Sequence, residues 1–363
     1  IMARKYDVVV TNPPYMGSSG MGARLAEFVK KQYPDSKSDL FAVFMERGRE
    51  YAKANGYLAM ITQHAWMFLS SFEKLRAKLM EIDTVNMAHL GARAFEEIGG
   101  EVVQTTAFVM QNRHVHGFKG MYARLIEPTT QDGKEEMFLD GENRFSARQD
   151  NFEKIPGAPV AYWVSEKIVE MFLKCNKVND YGTPRQGLAS GDNERFLRMW
   201  SEIDKDVFSD EIQKTEDIDE SGIKYVPHNK GGEYRKWYGN INYVIKFDKE
   251  NREALAKLGN HLPSRTFYFL SGFTWSDLTS GKFGARAIEC GAVFDTTGPT
   301  FFENQGGKEL RYYVMGFFNT VVFDKIAHIF CSGLHYSNGV IAELPCPINK
   351  DNFELVFNIV TDN

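Results

Sequence analysis

The tetrapeptide Asn12-Pro13-Pro14-Tyr15 has residue types suited to holding a planar amine. It follows Asp7-Val8-Val9-Val10, a β-branched run typical of a buried strand. Two prolines end that strand and stiffen the turn beyond it. The Asn12 amide oxygen and the Pro13 carbonyl then offer two acceptors for the two hydrogens of an exocyclic amino group. Tyr15 offers an aromatic face on which a flat ring can stack. The competing interpretation is an ordinary turn, because Asn-Pro commonly starts one.

The elements that must position this tetrapeptide alternate between strand and helix. Asp39 is a suitable N-cap for the helix that follows it, and Gly56 is a suitable stop. The predicted elements are the strand Tyr6–Thr11, the helix Asp39–Asn55, the strand Tyr57–Thr62, the helix Ser71–Glu81, and the strands Thr84–Leu90 and Val102–Gln111. This α/β alternation predicts a mostly parallel sheet with too few strands for a complete doubly wound nucleotide-binding domain.

The remaining chain predicts a change of architecture. Residues 117–175 are expected to form a polar, turn-rich linker or peripheral segment and a connecting helix, after a partial catalytic domain at residues 1–116. Residues 176–363 are expected to form a second, mixed α+β domain. The patterns there predict strands at Ile223–Val226, Tyr243–Phe247, Thr266–Phe269 and Ala292–Asp295, and helices near Lys249–Leu258 and Tyr312–Ile329.

The segment from Val8 to Tyr15 resembles the catalytic motif of amino-group methyltransferases. The helix–strand–helix after it resembles large bacterial restriction–modification adenine methyltransferases, and a similar recognition region occurs in the PglX type of BREX phage defence. The resemblance implies the C-terminal half of a Rossmann-like methyltransferase sheet. It implies that Asn12, Pro13, Pro14 and Tyr15 are catalytic, that a flipped adenine is methylated at N6, and that S-adenosylmethionine is the cofactor without any metal. It also makes Phe95 a candidate for stacking on the flipped base, although Phe95 is equally a candidate core residue.

The recognition-region resemblance rests on Gly187–Arg198, Gly231–Asn240 and Lys282–Arg286. Cations among aromatic and glycine residues in these segments suit contacts with the phosphates and base edges of double-stranded DNA. The candidates are Arg195, Arg198, Lys230, Arg235, Lys236, Trp237, Lys282 and Arg286. Each of them is also compatible with an ordinary surface residue or an ion pair.

A Gly-rich cofactor loop is expected in this family but is not evident in the sequence. Gly20-Met21-Gly22 follows the catalytic loop, and neither Gly298-Pro299 nor Gly306-Gly307 has an obvious strand–loop–helix context. We therefore expect the cofactor motif upstream of residue 1 and the chain to be a fragment that is inactive alone. Without that half, the strand Tyr6–Thr11 would be a bare apolar edge, and we expect self-association through it.

Composition is compatible with a globular cytoplasmic protein. Of 363 residues, 43% are apolar and 25% charged, and the net charge is −5. This charge argues mildly against DNA, but nine acidic residues lie in Ser201–Ser221 and can leave another face basic. The four cysteines have no zinc-type spacing and are interpreted as reduced thiols. The apolar stretch Val314–Leu334 contains Asp324, Lys325 and His328 and is not expected to cross a membrane.

Two other functions remain open from the sequence. A protein glutamine methyltransferase uses a similar Asn-Pro-Pro-Tyr motif, but such enzymes end soon after the catalytic half-sheet. A DNA-recognition module that binds without catalysing is the second alternative. Cofactor binding distinguishes that module from an active enzyme.

Overall fold

The computed structural model describes residues 4–95, 103–258, 262–279, 281–331 and 335–362. The chain divides into two compact units, Ile1–Leu173 and Lys174–Asn363. No helix in these described ranges is long and apolar enough to cross a membrane.

The first unit is built on a six-stranded sheet of order β1-β2-β4-β3-β5-β6. The strands are β1 (Tyr6–Thr11), β2 (Ala52–Gln63), β3 (Asp83–Gly91), β4 (Thr105–Gln111), β5 (Lys119–Arg124) and β6 (Arg144–Arg148). β1 is parallel to β2, and β3 is parallel to β5. β4 runs antiparallel between β2 and β3, and β6 runs antiparallel to β5. The sheet therefore has the predicted half-Rossmann character but is mixed, and the prediction of a mostly parallel sheet was wrong.

The helices of the first unit are α1 (Ala23–Gln32), α2 (Leu40–Tyr51), α3 (Glu73–Met80), α4 (Gln131–Asp140) and α5 (Glu166–Lys174), the last spanning the boundary between the units. α2 and α3 bury Phe41, Met45, Leu75 and Leu79 with sheet residues such as Phe108 in one core. Asp39 caps α2, as predicted, by accepting a hydrogen bond from the Phe41 amide. α2 nevertheless ends at Tyr51 and Gly56 lies inside β2, because the chain turns directly into the strand.

Two other expectations about this unit differ from the structure. Residues 117–159 are not a linker, since β5 and β6 extend the main sheet and α4 lies between them. The motif strand β1 is not buried, because among the described residues it pairs with β2 alone and leaves Val8 54% and Val10 70% exposed. The predicted strand Val102–Gln111 starts outside the described residues, and its described part forms β4.

The second unit contains two four-stranded sheets, of order β13-β9-β10-β8 and β12-β11-β14-β7. Its strands are β7 (Gly182–Arg185), β8 (Leu197–Met199), β9 (Tyr225–Asn229), β10 (Tyr243–Lys246), β11 (Gly272–Trp275), β12 (Ala285–Ile288), β13 (Val293–Phe294) and β14 (Thr300–Glu303). Its helices are α6 (Val178–Tyr181), α7 (Asn193–Phe196), α8 (Thr215–Ser221), α9 (Lys249–Lys257), α10 (Gly307–Phe318), α11 (Val321–Phe330), α12 (Asn338–Ala342) and α13 (Phe353–Thr361).

The mixed α+β character of the second unit agrees with the sequence prediction. The predicted strand Thr266–Phe269 is instead a short 3-10 turn, Arg265–Phe267. The predicted single helix Tyr312–Ile329 is two helices, because Thr320 caps a new one by accepting from the Phe323 amide.

Arg76 of α3 holds the segment around Gly157 against this helix by hydrogen bonds. Its guanidinium is 1% exposed and donates to the carbonyls of Gly157, Trp66 and Leu69 at 2.6–2.9 Å. Burial lowers the pKa of Arg76 to about 10. These hydrogen bonds offset the cost of burying the charge and fix the 149–160 segment against α3.

We expect Arg76→Met to lower the free energy of unfolding by about 3 kcal/mol, because it leaves the carbonyls of Trp66, Leu69 and Gly157 without this donor. Urea unfolding followed by fluorescence measures this. The partly exposed Arg47→Ala, which loses an i,i+3 pair with Glu50 and a cation–π contact with Tyr51, should cost less than about 1 kcal/mol. Equal effects of the two substitutions would show that Arg76 does not hold the segment.

Candidate functional site at the carboxyl edge of the sheet

Four strands of the first unit have their carboxyl ends at the same edge of the sheet. β1, β2, β3 and β5 run in the same direction, whereas β4 and β6 run opposite to them. Asn12 follows β1, His64 follows β2, Phe95 lies beyond β3, and Arg124 ends β5. In open α/β sheets, ligands bind outside this edge. The topology thus collects the predicted motif and several polar side chains in one region.

The motif loop combines an accessible amide with an anchored aromatic ring. Asn12 is exposed, Pro13 is buried and Tyr15 is half-buried. The Tyr15 ring meets Phe41 edge-to-face at a centroid distance of 6.2 Å. The Tyr15 hydroxyl is buried without a hydrogen-bond partner among the described residues, and burial raises its pKa. The ring is therefore held by the core while the Asn12 amide faces outward.

Asp39 ties the motif loop to the start of α2. Its Oδ1 accepts from the Met16 amide at 3.0 Å and from the Phe41 amide at 3.3 Å. The Leu40 amide donates to the Met16 carbonyl at 3.0 Å, which closes the contact from the other side. One carboxylate thus caps a helix and fixes the residue that directly follows Tyr15.

A cavity of about 650 Å³ lies beside Asn12 on the sheet. Its lining is mainly apolar and comes from β1 to β5, with Phe138 of α4 and Arg144 of β6 closing one side. Met121 and Phe138 are 47% and 43% exposed. This part of the sheet therefore presents apolar side chains that the described residues do not cover.

Two histidines meet at the carboxyl ends of β2 and β3, of which His89 is buried and His64 is partly buried. His64 Nδ1 is 2.8 Å from His89 Nε2, and His89 Nδ1 is 3.1 Å from the Tyr162 hydroxyl. Burial lowers the pKa of His64 to about 4. Burial, with the nearby His64, Arg124 and Lys134, holds the pKa of His89 well below its ordinary value. Both rings are accordingly neutral at pH 7.

α4 holds the segment that carries Phe95. Lys134 is 4% exposed, and its Nζ donates to the carbonyls of Leu90 and Leu125 at 2.7 Å each. Gln131 donates to the carbonyl of Ala94 at 3.1 Å. Burial lowers the pKa of Lys134. Phe95 is half-buried on the same edge as Tyr15, so its placement is compatible with both roles considered for it.

Sequence reasoning missed the histidine pair and Lys134. His64 directly follows an apolar strand, which was the available signal, but its partner is 25 residues away. Lys134 lay in a segment interpreted as peripheral.

The residues of the second unit that the sequence suggests for DNA contact differ in how exposed their side chains are. Arg195, Arg235 and Lys282 are exposed, and Arg198, Lys230, Lys236 and Trp237 are partly buried. The ammonium group of Lys236 donates to the Asn319 carbonyl at 2.6 Å. Trp237 lines a cavity of about 760 Å³. The exposed cations are free to meet phosphates, whereas Lys236 and Trp237 contribute to packing.

Arg286 is not on the surface, contrary to the expectation that it contacts DNA. It is 1% exposed on β12, where its backbone pairs with Thr274 and with the loop at Trp237. Burial lowers the pKa of Arg286 to about 10. The loop that carries the other candidates covers this strand, which the sequence pattern did not reveal.

The residues that the structure describes do not form a complete S-adenosylmethionine site. Gly22 is the N-cap of α1 and follows the motif loop rather than a new strand. Gly306-Gly307 does lie between a strand and a helix, contrary to expectation, since it joins β14 to α10. β14 is antiparallel to both of its neighbours, however, so this is not a parallel nucleotide-binding unit.

Comparisons with known proteins agree with the resemblance seen in the sequence. Residues 1–90 match the family described as Eco57I restriction-modification methylase. The chain is 42% identical over 359 residues to adenine-specific methyltransferase PglX of Lacticaseibacillus casei (strain Zhang), covering 95% of this chain and 30% of that protein. It is 38% identical over 348 residues to adenine-specific methyltransferase BrxX of Escherichia coli O9:H4 (strain HS), covering 95% of this chain and 28% of that protein.

The fold comparison points the same way. The Type IIL restriction-modification enzyme MmeI, solved in complex with DNA, superposes with a TM-score of 0.62 at 11% identity, covering 98% of this chain and 48% of that one. The resemblance to adenine-specific methyltransferases is thus confirmed, and it is favoured over the glutamine methyltransferase alternative. The chain spans less than a third of the length of the two curated relatives.

We expect Asp39→Ala to loosen the motif loop, because it removes the acceptor for both the Met16 and Phe41 amides. Stability should fall by about 1 kcal/mol, the usual cost of losing an N-cap. The Met16 amide should also exchange faster with deuterium. Asp39→Asn keeps an acceptor oxygen and should stay close to the wild type, whereas unchanged Met16 exchange in Asp39→Ala would refute the proposed tie.

We expect the protein to lose stability as the pH falls below about 6.5. An unfolded histidine takes up a proton near that pH, whereas folded His64 resists protonation until about pH 4. The unfolded state therefore binds more protons in this window, and His64 contributes a loss of roughly 2 kcal/mol between pH 7 and 5.

Urea unfolding at pH 7, 6 and 5 measures this loss. His64→Gln should flatten the dependence, and His116→Gln, at a side chain that is 95% exposed, is the control. Parallel curves for wild type and His64→Gln would contradict the assignment.

Proposed function

We propose that this chain is the catalytic-edge and recognition part of a DNA methyltransferase that methylates adenine at N6 in restriction–modification or phage defence. The observation that carries the proposal is the Asn12–Tyr15 loop at the carboxyl end of β1, held by Asp39 with its amide exposed. Similarity to adenine-specific methyltransferases along 95% of the chain supports it.

The chemistry of the motif is positioning and polarisation of an amine. The Asn12 side-chain oxygen and the Pro13 carbonyl accept hydrogen bonds from the adenine amino group, and these bonds strengthen as the nitrogen gains positive charge. Tyr15, braced by Phe41, offers its ring to the flipped base. S-adenosylmethionine, when bound, supplies the methyl group.

The free edge of β1 is the proposed junction with the cofactor-binding half of the longer enzyme. Among the described residues, β1 pairs with a strand on one side only, and its residues Val8 and Val10 are exposed. An unpaired apolar edge favours addition of a further strand. We propose that a strand of the cofactor half pairs here, and that the chain alone self-associates through the same edge.

The second unit is the proposed DNA-recognition region. Arg195, Arg235 and Lys282 are exposed cations suited to phosphate contacts. Arg286 is left out of this set because its guanidinium is buried. A module that binds DNA without catalysis remains the second candidate for the chain alone, since no complete cofactor site is found among the described residues.

The test compares this chain with a form extended upstream by about 300 residues, roughly two domain lengths. Calorimetry should detect S-adenosylmethionine binding by the extended form only. In the extended form, Asn12→Ala should lower methyl transfer to adenine at least about 100-fold, the scale of losing a transition-state acceptor. DNA affinity should stay within about twofold of the wild type.

Asn358→Ala removes an exposed amide on α13 and serves as the matched control. Full activity of Asn12→Ala would overturn the catalytic assignment. Tight cofactor binding by this chain alone would overturn the proposed junction at β1. DNA binding without methyl transfer by the extended form would favour the recognition module.

A further inference from the structure

A line of hydrogen bonds through Tyr162, His89 and His64 runs from the core to the carboxyl edge and crosses the start of β4. His64 follows β2, His89 lies in β3, and β4 is the strand between them. Tyr162 and His89 are 3% and 4% exposed, whereas His64 is only partly buried. The Tyr162 hydroxyl is 3.1 Å from His89 Nδ1, and His89 Nε2 is 2.8 Å from His64 Nδ1. Three separate segments therefore meet through a single line of hydrogen bonds.

The donors and acceptors along this line of hydrogen bonds have a preferred order. His89 Nδ1 is the hydrogen-bond partner of the Tyr162 hydroxyl among the described residues. A neutral hydroxyl that donates to this nitrogen satisfies its hydrogen, whereas the reverse arrangement leaves a buried O–H without an acceptor. His89 then carries its proton on Nε2 and donates to His64 Nδ1. His64 must in turn carry its proton on Nε2.

The surroundings stabilise this neutral state. Arg124 of β5 and Lys134 of α4 act on His89 as positive charges, and Glu127 acts on Lys134 as a negative charge. The two facing nitrogens, 2.8 Å apart, have room for one proton between them. A second proton would place two donors against each other. The tautomer of His64 is thus set by its partners rather than by chance.

The outer nitrogen of His64 is available at the proposed site. Its Nε2 has no hydrogen-bond partner among the described residues, and it is not a buried orphan atom. β2, which His64 follows, is the neighbour of β1, which ends at the motif loop. A neutral N–H that stays protonated at neutral pH is therefore presented at the same edge of the sheet as Asn12–Tyr15.

We propose that Tyr162 and His89 fix His64 as the Nε2–H tautomer, and that this N–H donates to a phosphodiester oxygen of the DNA strand that carries the target adenine. His64 would contact substrate, and His89 and Tyr162 are positioning residues. This inference rests on the proposed function. Phosphate oxygens are the acceptors that neutral N–H groups commonly use to set the register of DNA in a site.

The tautomer is tested on the chain itself, without DNA. Nitrogen-15 NMR of the histidine rings should show His64 with its proton on Nε2 and an unprotonated Nδ1. Tyr162→Phe removes the first donor and should produce a mixture of His64 tautomers with the fold retained. A His64 proton on Nδ1 in the wild type would overturn the proposed direction.

The DNA contact is tested with a 30-base-pair duplex that carries one mismatched adenine, which is easier to flip than a paired one. His64→Phe should weaken binding about tenfold, and His64→Gln, which keeps a donor, should recover most of it. His116→Phe is the control, since His116 lies beyond β4 at the opposite edge.

Methylphosphonate at a single linkage next to the mismatched adenine identifies the acceptor. It should weaken wild-type binding about tenfold but leave the affinity of His64→Phe unchanged, as a coupled pair requires. Independent, additive losses would overturn the phosphate contact. Failure of the wild type to bind any duplex would instead overturn the proposed function, and the NMR result would still decide the tautomer.

Discussion

The direction in which each strand runs is the constraint on which the site depends. β1 and β2 are parallel, so Asn12 and His64 emerge at one edge although they are 52 positions apart in the chain numbering. β4 enters between β2 and β3 in the opposite direction, which lets β3 also end at that edge without a crossover helix. The motif, the histidine pair and the Phe95 segment share a region because of this order.

Strand direction brings these segments to one edge, and polar side chains then hold each segment in place. Asp39 holds the motif loop, Arg76 holds the returning chain, and Lys134 holds the end of β3. Each donates to or accepts from backbone groups, so each fixes the path of the chain rather than one side chain. Such anchors are suited to a site whose loops must be held at a set spacing.

Local signals in the sequence were sufficient for part of this structure. The motif strand and the Asp39 cap were predictable because each depends on neighbouring residues. β5 and β6 were not, because their short polar stretches gain stability only from pairing with distant strands. Gly306-Gly307 was misjudged since β14 is too short to recognise. The burial of Arg286 depends on a loop about fifty residues away, which periodicity cannot report.

The position of β4 also dictates an order of assembly. β2 and β3 are neighbours in sequence but never pair, because β4 must be inserted between them. A direct β2–β3 pairing made early would have to be undone before β4 could enter. During synthesis the edge that carries the motif can therefore not close until residue 111 has left the ribosome. Its assembly depends on pairing between strands that are distant in sequence rather than on local contacts alone.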